Sequence, residues 1–160
     1  MIYDISNNKC YTIHEVITWK FSTRGRYALR LMIDLAQNRH DGKIPLRDIS
    51  KRQDISIKYL EQIVTPLTHS GLIKSVRGAQ GGYSLLKELS QYKIKDISEA
   101  LEGPIACVSC LQTPVNLCPR YQECKTVTFY EGLNQVIIDY LNSYTLEDLI
   151  QSNNNIDYVI

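Results

Sequence analysis

The sequence predicts a mainly α-helical fold with a small β-hairpin: a winged helix-turn-helix followed by a long C-terminal dimerisation helix. Three observations predict it. Apolar residues recur every three to four positions in three successive segments between residues 23 and 71. Two short alternating segments then flank a glycine-rich turn at residues 77–82. A further periodic segment at residues 125–142 is long enough for one extended helix.

Three predicted helices come first, each opened by a residue that favours a helix start. These residues are Ser22 or Thr23, Pro45 and Ser56. The first helix is expected to run through Asn38, and the third is expected to stop near Gly71. Pro66 lies inside the third helix and predicts a kink or an early end there, because proline cannot donate a hydrogen bond to the preceding turn.

Composition narrows the function classes. The chain has 160 residues, 44% hydrophobic and 22% charged, which is ordinary for a globular protein. It has no apolar run of about 18 residues and no secretory signal, so we expect a cytoplasmic protein without membrane contact. There, its five cysteines are more typical of ligands or redox thiols than of disulfides. No phosphate-binding glycine loop or recognisable catalytic set is present, so an enzyme is not expected.

The net charge of +1 conceals an asymmetry. Residues 20–93 hold 14 Lys and Arg against 6 Asp and Glu, a balance of +8. Residues 94–160 hold 3 against 9, a balance of −6, and residues 1–19 contribute −1. A basic segment joined to an acidic one indicates one half that binds a polyanion and one half with another task.

The basic half offers candidate DNA contacts. A helix fits the major groove of duplex DNA, where its exposed polar residues meet base edges. On the third helix these residues are Lys58, Glu61 and Gln62. Arg77 at the hairpin tip suits a narrow minor groove. Phosphate contacts are expected where the first helix starts, at Thr23, Arg24 and Arg26.

Three blocks of sequence carry a family resemblance: residues 20–28, residues 59–62, and residues 75–78 followed by 81–83. In this order and separation they resemble the IscR/NsrR/CymR family of bacterial winged-helix transcription regulators, over about residues 20–150. The resemblance implies a homodimer on a roughly palindromic double-stranded DNA operator. It implies that Glu61 and Gln62 read bases and that Arg77 enters the minor groove. The candidate DNA-binding set is Ser22, Thr23, Arg24, Arg26, Tyr27, Lys58, Tyr59, Glu61, Gln62, Arg77, Gly78, Gly81, Gly82 and Tyr83.

The acidic half holds a candidate sensor. Four cysteines fall in a stretch that Pro114 and Pro119 keep from being one helix. They are Cys107, Cys110, Cys118 and Cys124, while Cys10 stands apart. Four soft thiolates on one loop suit zinc or an iron–sulfur cluster. Unligated thiols and a thiol–disulfide switch are the alternatives.

The resemblance sharpens this expectation. Cluster-binding relatives carry three cysteines here, the last two spaced as Cys118 and Cys124 are, which implies a [2Fe–2S] or [4Fe–4S] cluster with the four cysteines as candidate ligands. Their common fourth ligand, a histidine, is replaced by Val127. Relatives concerned with cysteine metabolism can lack these cysteines and share the sequence of residues 101–105. The alternative function is therefore a cysteine-metabolism repressor controlled by a protein partner without a cluster.

The predicted organisation has five parts: an N-terminal extension (1–19), the DNA-binding domain (20–93), a linker helix with the cysteine loop (94–124), the dimerisation helix (125–150) and a tail (151–160). The N-terminal extension contains enough apolar residues, from Ile13 to Trp19, to predict one short amphipathic helix. The long helix has a near-seven-residue apolar repeat that suits pairing with another long helix. Its members are Val127, Tyr130, Leu133, Val136, Ile137, Tyr140 and Leu141.

Overall fold

The protein is described by a computed structural model that covers residues 21–78, 80–113, 115–116 and 118–152 with their side chains, and the backbone of residues 2–4 and 9–11. Strand β1 (Ile2–Asp4) pairs antiparallel with β2 (Lys9–Tyr11), a hairpin that the sequence pattern did not predict. The helix expected around Ile13 to Trp19 and the tail beyond residue 152 lie outside the described residues. Within the described ranges no helix is long and apolar enough to cross a membrane.

The order of three helices and a hairpin is confirmed. Helix α1 (Thr23–Gln37), α2 (Leu46–Gln53) and α3 (Ile57–His69) precede β3 (Ile73–Val76) and β4 (Gly82–Leu85). Three helices follow: α4 (Ile94–Glu102), α5 (Val127–Ser143) and α6 (Leu146–Ser152). The predicted caps are present, since the hydroxyls of Ser22 and Ser56 accept the backbone N–H groups of Gly25 and Tyr59 at 3.2 and 3.3 Å.

Helix α1 lies at the centre of the fold. It packs against α2, α3, α4, α6 and β4. Its residues Ala28, Leu31 and Met32 are fully buried, as are Ile49 of α2 and Leu60 of α3. Helix α4 contacts α1, α3 and α5, so it joins the three-helix head to the long C-terminal helix.

Of the two outcomes expected at Pro66, a kink or an early end of α3, the early end is wrong, because the helix continues to His69. Proline leaves the carbonyl four residues earlier, that of Gln62, without its helical partner. A guanidinium nitrogen of Arg24 donates to that carbonyl at 2.9 Å. The polar group that proline orphans therefore has a substitute donor, which removes one reason for the helix to stop.

The hairpin is attached to the head at its base by Tyr92. This side chain is fully buried, and its hydroxyl donates to the carbonyl of Leu72 at 2.9 Å. The same oxygen accepts the backbone N–H groups of Leu86 and Lys87 at 2.7 and 2.9 Å. One phenol therefore ties together the chain entering β3 and the chain leaving β4.

A second attachment joins β4 to the segment before α2. Ile44 and Tyr83 exchange two backbone hydrogen bonds, each 2.9 Å long. Gly82 lies directly against the Ile44 backbone, and a Cβ there would fall 2.6 Å from its carbonyl oxygen. Glycine at this position is therefore required by close backbone packing.

A half-buried ion pair joins α1 to α2. Asp34 is 1% exposed, and its two carboxylate oxygens accept bonds from Arg52 at 2.6 and 3.0 Å. The side chain of Gln53 donates a third bond at 3.0 Å. The hydrogen bond to Asp34 raises the pKa of Arg52 above its usual value. The bidentate geometry is the strong form of a carboxylate–guanidinium pair.

We expect Arg52→Ala to lower the free energy of unfolding by about 2–3 kcal/mol, because it leaves a buried carboxylate short of its charged partner. This expected loss of stability is smaller than for a fully buried ion pair because the Arg52 side chain is 39% exposed. Urea unfolding followed by circular dichroism measures it. Arg47→Ala is the control: its ion pair with Asp48 is long, at 3.6 Å, and Arg47 is 73% exposed, so equal losses in the two variants would contradict the assignment.

Candidate nucleic-acid interface and cysteine loop

The exposed face of α3 carries the predicted base-reading residues. Lys58, Glu61 and Gln62 are exposed, whereas Leu60 and Ile63 on the opposite face are fully buried. The hydroxyl of Thr65 donates to the carbonyl of Glu61 at 2.9 Å, alongside the bond that Arg24 makes to the next carbonyl. Because they are exposed, the side chains of Lys58, Glu61 and Gln62 can be reached by a ligand from the solvent side of α3.

Tyr27 and Tyr59 are half-buried and hold α1 against α3. Their rings meet edge to face with centroids 5.5 Å apart, a favourable aromatic geometry. The guanidinium of Arg30 lies 5.2 Å from the Tyr27 ring centroid and also donates to Gln53 at the end of α2. Both tyrosines therefore support the interface by packing, and Arg30 extends this support to α2.

The start of α1 adjoins the exposed face of α3. One shallow groove there is lined by Arg24, Lys58, Glu61, Gln62 and Thr65. A second is lined by Phe21, Ser22, Thr23, Arg24, Arg26 and Tyr59. Because Arg24 lines both, the structure brings the predicted phosphate-binding segment next to the predicted base-reading helix.

The two arginines at the start of α1 differ in environment. Arg26 is exposed and donates to the Thr23 hydroxyl, one turn earlier, at 3.3 Å. Arg24 is half-buried and reaches across to α3. Arg26 is therefore free to meet a phosphate, whereas Arg24 is already committed to a backbone carbonyl.

Glu102, the last residue of α4, was not among the predicted site residues. Its carboxylate accepts both the backbone N–H of Ser22, at 3.3 Å, and the hydroxyl of the same residue. A carboxylate at a helix N-terminus is stabilised by the helix dipole. The only signal in the sequence is that Glu102 precedes the turn at Gly103, which does not indicate a partner so far away along the chain.

The wing presents Arg77 to solvent. Gly78 has a φ of +116°, a conformation that favours glycine, and its carbonyl accepts the N–H of Gly81 at 2.9 Å. Gly81 is half-buried in this turn, Gly82 is buried against Ile44, and Tyr83 is half-buried. Arg77 and Gly78 are therefore the predicted wing residues that solvent reaches most freely.

The cysteine loop leaves α4 at Gly103 and is docked on α5. Cys107 makes two hydrogen bonds to α5: its N–H donates to the Asn134 side chain at 2.9 Å and its thiol donates to the Tyr130 carbonyl at 3.4 Å. Further along, the Tyr121 hydroxyl donates to the Glu131 carboxylate at 2.7 Å, which raises the pKa of the tyrosine. These three hydrogen bonds hold the loop to α5.

All four loop cysteines are unpaired and half-buried. Cys124 sits just before α5, with its sulfur 3.4 Å from the Thr126 hydroxyl. Hydrogen bonds from Thr126 lower the pKa of the Cys124 thiol below its usual range. A lowered pKa enriches the thiolate, the reactive form of cysteine.

The predicted convergence of the four cysteines is not seen in this arrangement. Their chemistry suits zinc or an iron–sulfur cluster. Within the part of the chain that the structure describes, however, no three His, Cys, Asp or Glu side chains come together to hold a metal ion. The four thiols therefore have the chemistry that a cluster needs, while the described arrangement of the loop does not bring them together.

Helix α5 has two apolar faces where the sequence pattern suggested one. Ile137 packs on the core and Leu141 is 6% exposed. Four large side chains instead face solvent: Phe129 (68% exposed), Leu133 (40%), Val136 (65%) and Tyr140 (62%). The predicted repeat mixed the two sets because both are apolar at helical spacing, and it omitted Phe129. We call these four residues the α5 stripe.

Comparisons with known proteins agree with this architecture. The Rrf2 family, described as iron-dependent transcriptional regulators, matches residues 21–152. The HTH-type transcriptional regulator IscR of Pectobacterium carotovorum is 35% identical over 138 residues, 86% of this chain and 83% of that protein. The solved structure of CymR, the global cysteine regulator of B. subtilis, is 38% identical with a TM-score of 0.68, over 84% of this chain and 98% of that one. T. potens IscR is 37% identical with a TM-score of 0.66, over 84% and 88%.

Proposed function

Because the chain belongs to the Rrf2 family of DNA-binding transcriptional regulators and is not an enzyme, we propose that it binds a roughly palindromic operator as a homodimer. In each protomer α3 enters the major groove and presents Glu61 and Gln62 to base edges, while Arg77 enters the minor groove. The observation that carries the proposal is the groove pair at the start of α1, which sets basic side chains beside the exposed face of α3.

The α5 stripe supports the homodimer. Four large apolar side chains on one helix face form the kind of patch that a protein interface covers. A second copy presents the same stripe, so two α5 helices can pair about a two-fold axis. Such pairing would set the two α3 helices about one duplex turn apart, as a palindromic operator needs.

The cysteine loop supports a regulatory role for its thiols. All four are unpaired and partly accessible, and hydrogen bonds from Thr126 lower the pKa of the Cys124 thiol. The loop joins α4 to α5. The end of α4 is hydrogen-bonded to Ser22 at the start of the DNA-binding head, and α5 carries the α5 stripe. We propose that the redox state of the loop sets operator affinity by favouring one arrangement of these contacts.

Two alternatives to thiol oxidation lead to different observations. An iron–sulfur cluster would require the loop to close from the arrangement described here. Control by a protein partner without a cluster would leave the thiols uninvolved, and the similarity to a cysteine regulator, CymR, favours it.

We expect Arg77→Ala to weaken operator binding by about 1–3 kcal/mol if the arginine contacts bases in the groove. The probe is a duplex that the wild-type protein enriches from a random-sequence library, with affinity read by fluorescence anisotropy. Lys125→Ala removes the same charge from the acidic half and should leave affinity unchanged. An unchanged affinity for Arg77→Ala would place the wing outside the DNA interface, and failure of the wild type to enrich any duplex would contradict operator binding.

Val136→Glu should convert the dimer to a monomer, because it places a charge in the centre of the α5 stripe. Light scattering after size exclusion should give twice 18.4 kDa for the wild type and 18.4 kDa for the variant. Operator affinity should fall about 100-fold, since two linked reading heads bind far more tightly than one. Thr128→Glu adds the same charge to α5 away from the stripe and should stay dimeric; a dimeric Val136→Glu protein would show that the stripe is not the interface.

Protein purified without oxygen from iron-replete cells is first assayed for colour and bound iron, because an iron–sulfur cluster would supply both. Its operator affinity should change about tenfold on treatment with diamide and return with dithiothreitol, within the usual range of coupling energies. Cys124→Ser should reduce this response. Colour together with bound iron would contradict control by thiol oxidation and support a cluster. Iron-free protein whose operator affinity does not respond to diamide would support control by a protein partner.

A further inference from the structure

The carbonyl of Gln62 has an unusual partner. Pro66, four residues later in α3, has no N–H and so leaves this carbonyl without the bond that a regular helix supplies. The Nη2 atom of Arg24 fills the vacancy at 2.9 Å. The residue whose side chain is expected to read a base therefore has its backbone held from another helix.

Arg24 is placed for this contact by the start of α1. It is the second residue of the helix, two positions after the Ser22 cap, whose hydroxyl donates to the Glu102 carboxylate. It is half-buried, and its Nε atom is buried without a hydrogen-bond partner within the described residues. The guanidinium of Arg24 therefore lies along the flank of α3, with its Nε buried and its Nη2 on a carbonyl. Arg26, in contrast, is exposed.

We propose that Arg24 is a positioning residue for base recognition: it substitutes for the N–H that Pro66 lacks and fixes the turn of α3 that carries Glu61 and Gln62. This inference rests on the proposed function. A glutamine that reads adenine makes two aligned hydrogen bonds, so a turn that shifts loses base discrimination before it loses backbone affinity. Arg24 thus governs which sequence is bound, whereas Arg26 contributes to how tightly any duplex is held.

The test compares full-length wild-type protein with Arg24→Ala and Arg26→Ala. Each binds the duplex enriched by the wild type and a shuffled duplex of equal composition, over a series of salt concentrations. For Arg24→Ala we expect the affinity ratio between the two duplexes to fall about tenfold with the salt dependence unchanged. For Arg26→Ala both duplexes should weaken together, and the slope of log affinity against log salt should become shallower by about one.

Pro66→Ala supplies a rescue. Alanine restores an N–H to the Gln62 carbonyl, so Pro66→Ala combined with Arg24→Ala should recover the wild-type affinity ratio. A phosphate contact or a general loss of stability would not be repaired in this way, and thermal melts confirm that each variant is folded. The proposal is overturned if Arg24→Ala makes the salt slope shallower with the ratio intact, or if the double variant discriminates no better than Arg24→Ala. Failure of the wild type to enrich a duplex would instead contradict the proposed function.

Discussion

The burial of α1 is the constraint on which the rest of the structure depends. Ala28, Leu31 and Met32 have no solvent exposure, and four other helices and a strand reach their positions by packing on this one. Its polar side chains then fix the neighbours more finely. Asp34 binds Arg52 of α2, and Arg24 binds the backbone of α3. Apolar packing supplies most of the favourable free energy, and these two charged contacts tie α2 and α3 to α1 at defined points.

The connection between the two halves of the chain runs through α4. Helix α4 packs on α1 and α3 and also on α5, and Glu102 at its end accepts from the Ser22 cap. After Glu102 the chain enters the cysteine loop, whose residues Cys107 and Tyr121 are hydrogen-bonded to α5. A continuous series of hydrogen bonds and packed helices therefore runs from the loop to the exposed face of α3. Such a series of packed and hydrogen-bonded contacts can carry energetic coupling between the two halves.

The head was predictable because burial repeats at the helical period. The stripe of α3 and the caps at Ser22 and Ser56 follow local rules, and each agrees with the structure to within a residue or two. The exposure of Gln62 followed from the same periodicity, and that of Arg77 followed from its place in the glycine-rich turn. Their contact with DNA is a further step, and it stays a prediction.

What the pattern missed depends on contacts between distant parts of the chain. Nothing near Glu102 signals a bond to Ser22, and nothing near Gln62 signals a bond to Arg24. Helix α5 was assigned one apolar face because periodicity counts apolar positions without telling a core from an exposed patch. The cysteine spacing describes which donors are available, while their separation in space depends on how the loop docks on Asn134 and Glu131.

The close approach of Gly25 to Glu102 constrains how this protein can diverge. A Cβ at position 25 would collide with the Glu102 carboxylate, and the backbone there is regular helix that any residue could otherwise adopt. The limit on position 25 comes from the neighbouring carboxylate and not from the torsion angles of the glycine. A larger residue there would turn the flexible Glu102 side chain away from Ser22, so divergence at this position would cost the bond that joins the end of α4 to the start of α1.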